Sequence, residues 1–591
     1  MKSQYEWNLS EIFKDKEAFL KEKQEVEKKI NKAKSYESHL LDCKENLEQF
    51  FQLDEKISRS MDKMYLYSKR RVDLNGSDME AQELYQLVKK LDIFYENTVI
   101  FLKPMLLENK EKVLQYIKES PFLENYAFQI QQLYDQEPHQ LSKEQEEVVN
   151  ILSETCFSHV STYATLKSLE MKWKEIHDED GKLVPFSEGL YGKYYNSTSR
   201  KVRKEAHMTL YEGYANYQHT IASLLVSQMT SYANIAKLRH FSSALEMAMN
   251  VDHLKPTLYH NLIKVVEKYL PVVHRYYKIR KEQSGLKEFY TYDLNQSIDQ
   301  KEKNYTMEQA MDLVLEALKP LGEDYVKILK NGYHSHWIDA YPKDGKYSSA
   351  YSAGGCYDTH PYILLNFNGK EVDVKSLAHE SGHAMHTYYS NKENTYSNSV
   401  YTSFLSEIAS TVNELLVSEY QLNHAQSEEE EIEVLDNLIR CFDASIFTQT
   451  MYAEFELWCY EQIEKGNPPT TERMNEYYAK LLKKYYGEEV LITDISKVGW
   501  SRISHFFIYH FYVYKYATGL SIATAFASAI INQEPGALEN YKKFLKSGGR
   551  AYSDEILLDC GIDVNQITFI ENAMKYFEKN VRLLEQEMKR R

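Results

Sequence analysis

The stretch LAHESGHAMH, residues 377–386, decides how the rest of the chain is interpreted. It holds two histidines four residues apart, His379 and His383, with Glu380 beside the first. Residues at this spacing share one face of a helix, so both imidazoles can bind one Zn²⁺ at about 2.0–2.1 Å. The flanking residues favour a mostly buried helix, and Glu380 is placed to take a proton from a metal-activated water. The alternative is a pair of histidines that only pack on a helix face.

A catalytic zinc needs a third protein ligand, and the next predicted helix offers two carboxylates. In TSFLSEIASTVNELLVSEY, residues 402–420, Glu407 and Glu414 share a face, seven residues apart. Inward-facing carboxylates are costly unless they are paired or bind a metal, and the spacing leaves either one open as the ligand. His386 is about 10.5 Å along its helix from His379, too far to converge easily on the same ion. We expect His386 to hydrogen-bond near the site instead.

A tyrosine-rich stretch, HFFIYHFYVYKYATGL, covers residues 505–520. Helical spacing predicts that one face of this stretch carries four polar rings: His505, Tyr509, Tyr512 and Tyr516. Tyr514 falls on the opposite face. Amide hydrolysis builds negative charge on the carbonyl oxygen, and phenol and imidazole donors can stabilise that charge. The alternative is an aromatic stripe that only packs.

Residues 333–370, just before the histidine helix, interrupt the helical pattern with an aromatic stretch that contains several glycines. Within it, YILLNF at 362–367 predicts a β-strand that ends in an Asn-Gly turn. An exposed edge of such a strand can bind an extended peptide through main-chain hydrogen bonds. We therefore expect the substrate to contact the following residues: Tyr351, Gly354, Gly355, Tyr362, Ile363, Leu364 and, in the tyrosine-rich stretch, Tyr512.

Glycine and proline are scarce along the chain, at 21 and 12 of 591 residues. So few turn formers favour long helices and argue against an all-β fold. A second interruption, IHDEDGKLVPF at 176–186, predicts a β-hairpin around Asp180-Gly181. We expect a mainly α, two-lobed body with a small β-sheet and loop region beside the zinc helix. The predicted lobes are an N-terminal helical lobe at 1–190 and a catalytic lobe at 191–591.

Charge and cysteine usage exclude several classes of protein. The chain has 71 Lys and Arg against 87 Asp and Glu, a net charge of −16, which is poorly suited to sequence-independent nucleic-acid binding. Its six cysteines are scattered without a CxxC pair, as is typical of a reducing compartment. No apolar run has the length of a signal peptide or a membrane span. We expect a cytoplasmic protein that binds neither nucleic acid nor membrane.

Together these motifs resemble the M3 zinc peptidases, and most closely the bacterial oligoendopeptidase F branch. LAHESGHAMH is followed by FLSEIASTVNE, and the resemblance extends to WNLSEIF at 7–13 and to the tyrosine-rich stretch. KYSSAYSAGGCYDTHPYILLNFNG at 346–369 resembles the loop and strand before the zinc helix of that branch. The motifs stand in the family's order over essentially the whole chain, and one departure is Ser349, where the family favours glycine.

The resemblance implies a zinc endopeptidase that cuts internal bonds of short peptides, with one zinc per chain. It implies that Glu407 is the third ligand and that Glu414 orients a ligand imidazole. It further implies that His505, Tyr509 and Tyr516 stabilise the oxyanion. A deep channel between two mostly helical lobes would admit short, unstructured peptides. A helical zinc carboxypeptidase or dipeptidase and a non-catalytic helical scaffold remain as alternatives, and the sequence leaves the oligomeric state open.

Overall fold

The predicted mainly α fold is confirmed by the computed structural model, which describes residues 5–296 and 303–590. Helices dominate these residues, and each strand has only two or three residues. Within the described ranges, no helix combines the length and the apolar character that crossing a membrane requires. Helix starts follow ordinary capping chemistry, as where Asp78 accepts a hydrogen bond from the Ala81 backbone N–H at 3.0 Å.

The α-helices are numbered in chain order. In the first half they are α1 Lys16–Lys34, α2 Lys44–Leu74, α3 Met79–Thr98, α4 Leu102–Glu108, α5 Lys110–Glu119, α6 Ala127–Asp135, α7 Lys143–Cys156, α8 His159–Thr165, α9 Glu188–Tyr195, α10 Arg200–Ala215, α11 Gln218–Leu238, α12 Ala244–Asn250, α13 Pro256–Lys268 and α14 Leu270–Ser284. In the second half they are α15 Met307–Ala317, α16 Glu323–Tyr333, α17 Glu371–Glu393, α18 Ser403–Asn423, α19 Glu428–Phe442, α20 Thr448–Glu464, α21 Thr471–Tyr486, α22 His505–Ile508, α23 Tyr514–Ile531, α24 Ala537–Leu545, α25 Ser553–Asp559 and α26 Thr568–Arg590.

Shorter helices and strands connect them. The 3₁₀ helices are Leu9–Glu11, Ser35–Ser38, Leu123–Tyr126, Glu137–His139, Thr291–Asp293, Lys319–Leu321, Tyr396–Asn398 and Asp494–Arg502, and the π-helical turns are Leu166–Glu170 and Asp443–Phe447. The strands are β1 Ile176–His177, β2 Leu183–Val184, β3 Ile338–Asp339, β4 Tyr351–Ala353 and β5 Tyr362–Leu364.

Both predicted β regions are present. β1 and β2 form the hairpin, with Gly181 of its turn at φ +78°, a left-handed conformation that favours glycine. β5, the predicted strand before the histidine helix, lies in the middle of a three-stranded sheet, parallel to β3 and antiparallel to β4. The expectation that this strand offers an exposed edge is wrong, because both of its edges are already paired. β4 is therefore an outer strand of this sheet, and it lies in the loop region that precedes the histidine helix.

Trp7 shows why the N-terminal stretch shares a core with this sheet. Its indole Nε1–H donates to the carbonyl oxygens of Trp337 and Ile363, both at 3.0 Å, and its ring packs edge-on against Tyr362. The buried side chains of α1 to α6 continue the same apolar cluster, which also contains Leu364. Fully burying a large apolar side chain contributes roughly 1.5–3 kcal/mol, so this core fixes the sheet on which the site depends.

Packing divides the chain into two compact units, each made of three chain segments. Unit 1 comprises Met1–Glu137, Glu302–Tyr420 and Phe526–Ile562, and unit 2 comprises Pro138–Lys301, Gln421–Ala525 and Asp563–Arg591. The predicted division at residue 190 falls within the first segment of unit 2, and the two lobe ranges stay a prediction. α17 and most of α18 belong to unit 1, whereas the tyrosine-rich stretch up to residue 520 belongs to unit 2.

Candidate active site

The site depends on a close approach of α17 and α18. Gly382 faces α18 so closely that a Cβ there would lie 2.5 Å from both the Ala409 carbonyl oxygen and the Ser410 Cα. Asn413 fixes the same contact by donating its side-chain N–H to the carbonyl oxygen of Ala378 at 3.1 Å. Because only hydrogen fits at position 382, the carboxylates of α18 can reach the histidines of α17.

Three side chains of these helices bring their ligand atoms together. His379 Nε2 and His383 Nε2 are 3.2 Å apart, and Glu407 Oε2 lies 3.5 Å from the first and 3.6 Å from the second. Ligand atoms about 2.05 Å from a tetrahedral Zn²⁺ lie ~3.3 Å from one another, so this triangle fits zinc. Two imidazoles and one carboxylate are also a donor set of catalytic zinc sites, which keep a fourth position open. Within the described ranges, these three residues are the one group with metal-binding geometry.

Glu414 lies on the other side of His379. Its Oε1 is 2.5 Å from His379 Nδ1, a hydrogen bond that leaves Nε2 directed at the triangle. The sequence spacing could not distinguish Glu407 from Glu414, but their positions do: Glu407 lies in the triangle, and Glu414 bonds to the far nitrogen of His379. Burial opposes the protonation of His379, but the hydrogen bond and charge of Glu414 outweigh it and raise the pKa of His379 to about 9. Burial, together with the charge of His379, lowers the pKa of His383 to about 3.

Glu380 lies beside the triangle, in the wall of a cavity of about 410 Å³. Its side chain is only 6% exposed, and its Oε2 has no hydrogen-bond partner within the described residues. Burial raises the pKa of Glu380 to about 7, although the charge of His379 opposes that shift. A carboxyl group with a pKa near neutrality can both accept and release a proton, as general acid–base catalysis requires.

The cavity lies between α17 and α18 and the loop that contains β4. Tyr351, Gly354 and Gly355, three of the predicted substrate contacts, line it. A Cβ at Gly354 would lie 2.3 Å from the Thr387 hydroxyl oxygen, so the loop passes directly over α17 because it carries glycine here. The predicted contacts of β5 are buried within the sheet and lie outside the cavity lining: Tyr362, Ile363 and Leu364.

β4 takes the position that the sequence assigned to β5. Ile363 donates its N–H to the Trp337 carbonyl oxygen at 2.6 Å, on the β3 side. Ser352 lies opposite Ile363 in the antiparallel pair, where bonded and non-bonded pairs alternate. The main-chain N–H and C=O of Ser352 therefore point away from β5, and that N–H interacts with the Glu380 carboxylate. Sequence reasoning missed Ser352 because β4 has only three residues and no strand pattern.

The connection between α17 and α18 supplies cavity residues that no motif indicated. They are Tyr396, Ser399, Val400 and Tyr401. His386 lies behind this wall, fully buried, with its ring stacked on Tyr401 at a centroid distance of 3.7 Å. Its Nδ1 has no hydrogen-bond partner among the described residues, and the hydrogen-bonding role near the site stays a prediction. Its neighbours are aromatic rings, because the next turn of α17 faces the apolar core.

In unit 2, the tyrosine-rich stretch is not the single helix that its spacing predicts. α22 ends at Ile508, α23 begins at Tyr514, and Phe511 between them has φ +52°. The bend is held by tertiary contacts, because the Phe511 N–H donates to buried Glu456 Oε1 at 2.8 Å. The Tyr460 hydroxyl also lies 2.7 Å from His510 Nδ1.

The bend still brings the predicted rings together. His505 Nε2 is 3.2 Å from the Tyr516 hydroxyl, and the Tyr512 ring lies 5.6 Å from that of Tyr509 and 5.5 Å from that of Tyr516. Tyr514 points elsewhere, buried beside Tyr259. The predicted grouping is therefore present, although the continuous helix from which it was derived is not.

Comparison with known proteins identifies close relatives. Residues 193–576 match the family model described as "Peptidase family M3", and residues 106–173 match the one described as "Oligopeptidase F". Oligopeptidase PepF of Bacillus subtilis strain 168 is 34% identical over 99% of this chain and 88% of its own length. Group B oligopeptidase PepB of Streptococcus agalactiae serotype III is 31% identical over 99% of this chain and 97% of its own.

Solved structures give the same picture. The crystal structure of oligoendopeptidase-F from Enterococcus faecium matches with a TM-score of 0.75 and 31% identity, over 97% of this chain and 99% of the other. A structure from Chlamydophila abortus matches with a TM-score of 0.91 and 31% identity, over 99% of both chains. Similarity therefore extends over essentially the full length in both sequence and structure.

Proposed function

Because the chain belongs to peptidase family M3 and is a metalloendopeptidase, we propose that it hydrolyses internal bonds of short oligopeptides with one zinc ion. The observation that carries the proposal is the triangle of His379 Nε2, His383 Nε2 and Glu407 Oε2, with sides of 3.2, 3.5 and 3.6 Å. Zinc held there would act as a Lewis acid toward the scissile carbonyl and the attacking water.

Glu380 is the proposed general base. Its Oε2, which has no partner within the described residues, takes a proton from the attacking water and later gives it to the leaving amine. Glu414 holds the His379 ring in the orientation that directs Nε2 to the metal, through the Nδ1 hydrogen bond. A histidine positioned in this way does not have to reorient when the ion binds.

The outer edge of β4 is the proposed guide for the peptide backbone. A peptide laid along the cavity can donate a main-chain N–H to the Ser352 carbonyl oxygen, which points away from β5, whereas the Ser352 N–H interacts with the Glu380 carboxylate. Main-chain pairing holds an extended chain without reading its side chains, which suits an enzyme for varied short peptides. Folded proteins lack such an extended, unpaired segment and are poor substrates for this mode of binding.

The tyrosine-rich stretch supplies the proposed oxyanion donors. His505, Tyr509 and Tyr516 are grouped by the bend, and a phenol or imidazole N–H can stabilise the charge that develops on the carbonyl oxygen. Tyr512, in the same group, is the proposed substrate contact. A cytoplasmic location is part of the proposal, since all six cysteines are free thiols.

The test measures zinc and peptide cleavage together. We expect purified protein to contain about one zinc per chain, to lose activity on chelation, and to regain it with added zinc. An internally quenched peptide blocked at both ends should be cut, whereas a carboxypeptidase or dipeptidase would leave it intact. Glu407→Ala should lose the zinc, and Glu393→Ala, at the end of the same helix as the histidines, should keep it. Full zinc content in Glu407→Ala would place the third ligand elsewhere.

A further inference from the structure

Arg502, at the end of the 3₁₀ helix Asp494–Arg502 in unit 2, is a half-buried cation without a hydrogen-bonded partner among the described residues. Its Nε is fully buried, and the carboxylate oxygen that approaches it, Glu188 Oε1, is 3.7 Å away, beyond hydrogen-bonding distance. Guanidinium groups carry five N–H donors, and leaving them unpaired inside a protein is costly. Such a group points to a ligand that supplies the acceptors.

Glu188 is already engaged by other groups. Its Oε2 accepts the Tyr214 hydroxyl at 2.7 Å and lies 3.1 Å from Lys167 Nζ. Lys167 and Arg502 together therefore bring two positive charges to one carboxylate. Asp443, another acid of unit 2, accepts the Tyr277 hydroxyl at 2.7 Å. Among Lys167, Arg502 and Glu188, one positive charge is therefore left without a matching carboxylate.

Tyrosines surround the guanidinium. The Arg502 guanidinium lies over the ring of Tyr191, 5.5 Å from its centroid, and Tyr191 stacks on Tyr195 at 5.0 Å. Tyr211 packs against the same 3₁₀ helix, where a Cβ at Gly499 would lie 3.2 Å from its ring atom Cε1. The hydroxyls of Tyr191 and Tyr211 make no hydrogen bond to other described residues, and both side chains are half-buried rather than sealed. These side chains are therefore partly open to solvent, and the tyrosines offer neutral donors beside a cation.

We propose that Arg502, with Tyr191 and Tyr211, binds the terminal carboxylate of a peptide. The ligand assignment rests on the proposed peptidase function, which makes peptides the carboxylates that the protein meets. A planar guanidinium matches a carboxylate through two parallel hydrogen bonds, and phenol hydroxyls can complete the remaining lone pairs. One unmatched positive charge also suits a monoanion better than a phosphate dianion.

The experiment compares two internally quenched peptides that differ only in a free or an amidated C-terminus. We expect wild type to prefer the free acid by about 10- to 100-fold in KM, the range of hydrogen bonds to a charged group. Arg502→Gln should bring that ratio close to one, and Arg502→Lys should keep part of it. Lys497→Gln, on the same 3₁₀ helix and paired with exposed Asp494, should keep the full preference.

Further outcomes separate this inference from the proposed function. If wild type cuts both peptides with equal KM, the carboxylate site is overturned while the peptidase function stands. If neither peptide is cut, the peptidase function itself fails. Should Arg502→Gln not fold, as judged by circular dichroism, Tyr191→Phe and Tyr211→Phe replace it, and each is expected to reduce the acid preference several-fold. If an amidated peptide with an internal Glu shows the same low KM as the free acid, the site binds any carboxylate, and its assignment to the peptide terminus is overturned.

Discussion

α17 and the tyrosine-rich stretch look alike in sequence, since each places polar rings at helical spacing, but only α17 is a continuous helix. Residues 371–393 keep regular geometry throughout, and His379 and His383 meet as the i, i+4 rule requires. Residues 505–520 break between Ile508 and Tyr514, with a left-handed residue at Phe511. In one region the spacing explains the backbone, and in the other it does not.

The difference lies in what the neighbouring helices offer the backbone. The buried residues of α17 are mostly apolar or small, and the helix stays continuous where Gly382 meets α18. In the tyrosine-rich stretch, Glu456 of α20 accepts the Phe511 N–H, and Gln228 and Tyr460 contact the two ring nitrogens of His510. These tertiary hydrogen bonds replace the helical ones. The spacing of the rings therefore predicts which side chains lie close together, but it does not predict the backbone conformation that brings them together.

The largest effect on turnover is expected from a substitution in α17, the continuous helix of this comparison. Glu380→Gln removes the carboxylate that accepts the proton but keeps its shape, so turnover should fall by about 10²- to 10⁴-fold. Zinc content should not change, because Glu380 is not in the ligand triangle. Stopped assays on the blocked peptide, with metal analysis of the same sample, test this.

The matched control for Glu380→Gln is Glu393→Gln, a carboxylate in the last turn of the same helix. It should leave both turnover and zinc unaltered. Substantial turnover by metal-replete Glu380→Gln would show that another group is the base, and the functional reading of the α17 spacing would then have to be withdrawn.

The next effect tests whether the grouping made by the bend is functional. Tyr516→Phe deletes one proposed oxyanion donor, so kcat should fall by about 10²- to 10³-fold with little change in KM. Tyr514→Phe deletes a hydroxyl two residues away whose ring is buried beside Tyr259, and its kcat should stay near wild type. Equal effects of the two substitutions would mean that the stretch acts only through packing.

Sequence alone predicts the parts of the site that depend on one helix. His379, Glu380 and His383 follow from their spacing, because a helix fixes their relative positions by itself. Glu407 and Glu414 could not be separated in that way, since two turns of α18 present both on one face. Their roles depend on how α18 packs on α17, which the family resemblance implied and the Gly382 contact explains.

Pairing between distant strands was also beyond the sequence. The segment YILLNF was correctly predicted as a strand, but its partners are the two-residue β3 and the three-residue β4, neither long enough to show a pattern. From sequence, the peptide-binding edge was therefore assigned to β5, the strand with the clearest sequence pattern. That pattern is clear because all three residues of β5 are buried, but the strand cannot be an edge because β3 and β4 pair with both of its edges.

The smallest effect tests the carboxylate that holds the bend. Burial raises the pKa of Glu456 to about 8, above the value near 4.5 of an exposed glutamate. The folded state therefore binds this proton more tightly than the unfolded state, and wild type should lose stability as pH rises from about 4.5 to about 8. Glu456→Gln does not titrate and keeps an oxygen to accept the Phe511 N–H.

The melting temperature of Glu456→Gln, relative to wild type, should therefore rise by roughly 1–3 °C between about pH 5 and about pH 8. Glu461→Gln, on the exposed side of the same helix and paired with Lys465, should show no such trend. A relative melting temperature that falls with pH would mean that Glu456 is ionised in the fold. The bend would then be held by a charge rather than by a neutral hydrogen bond, and it would weaken in acid instead of in base.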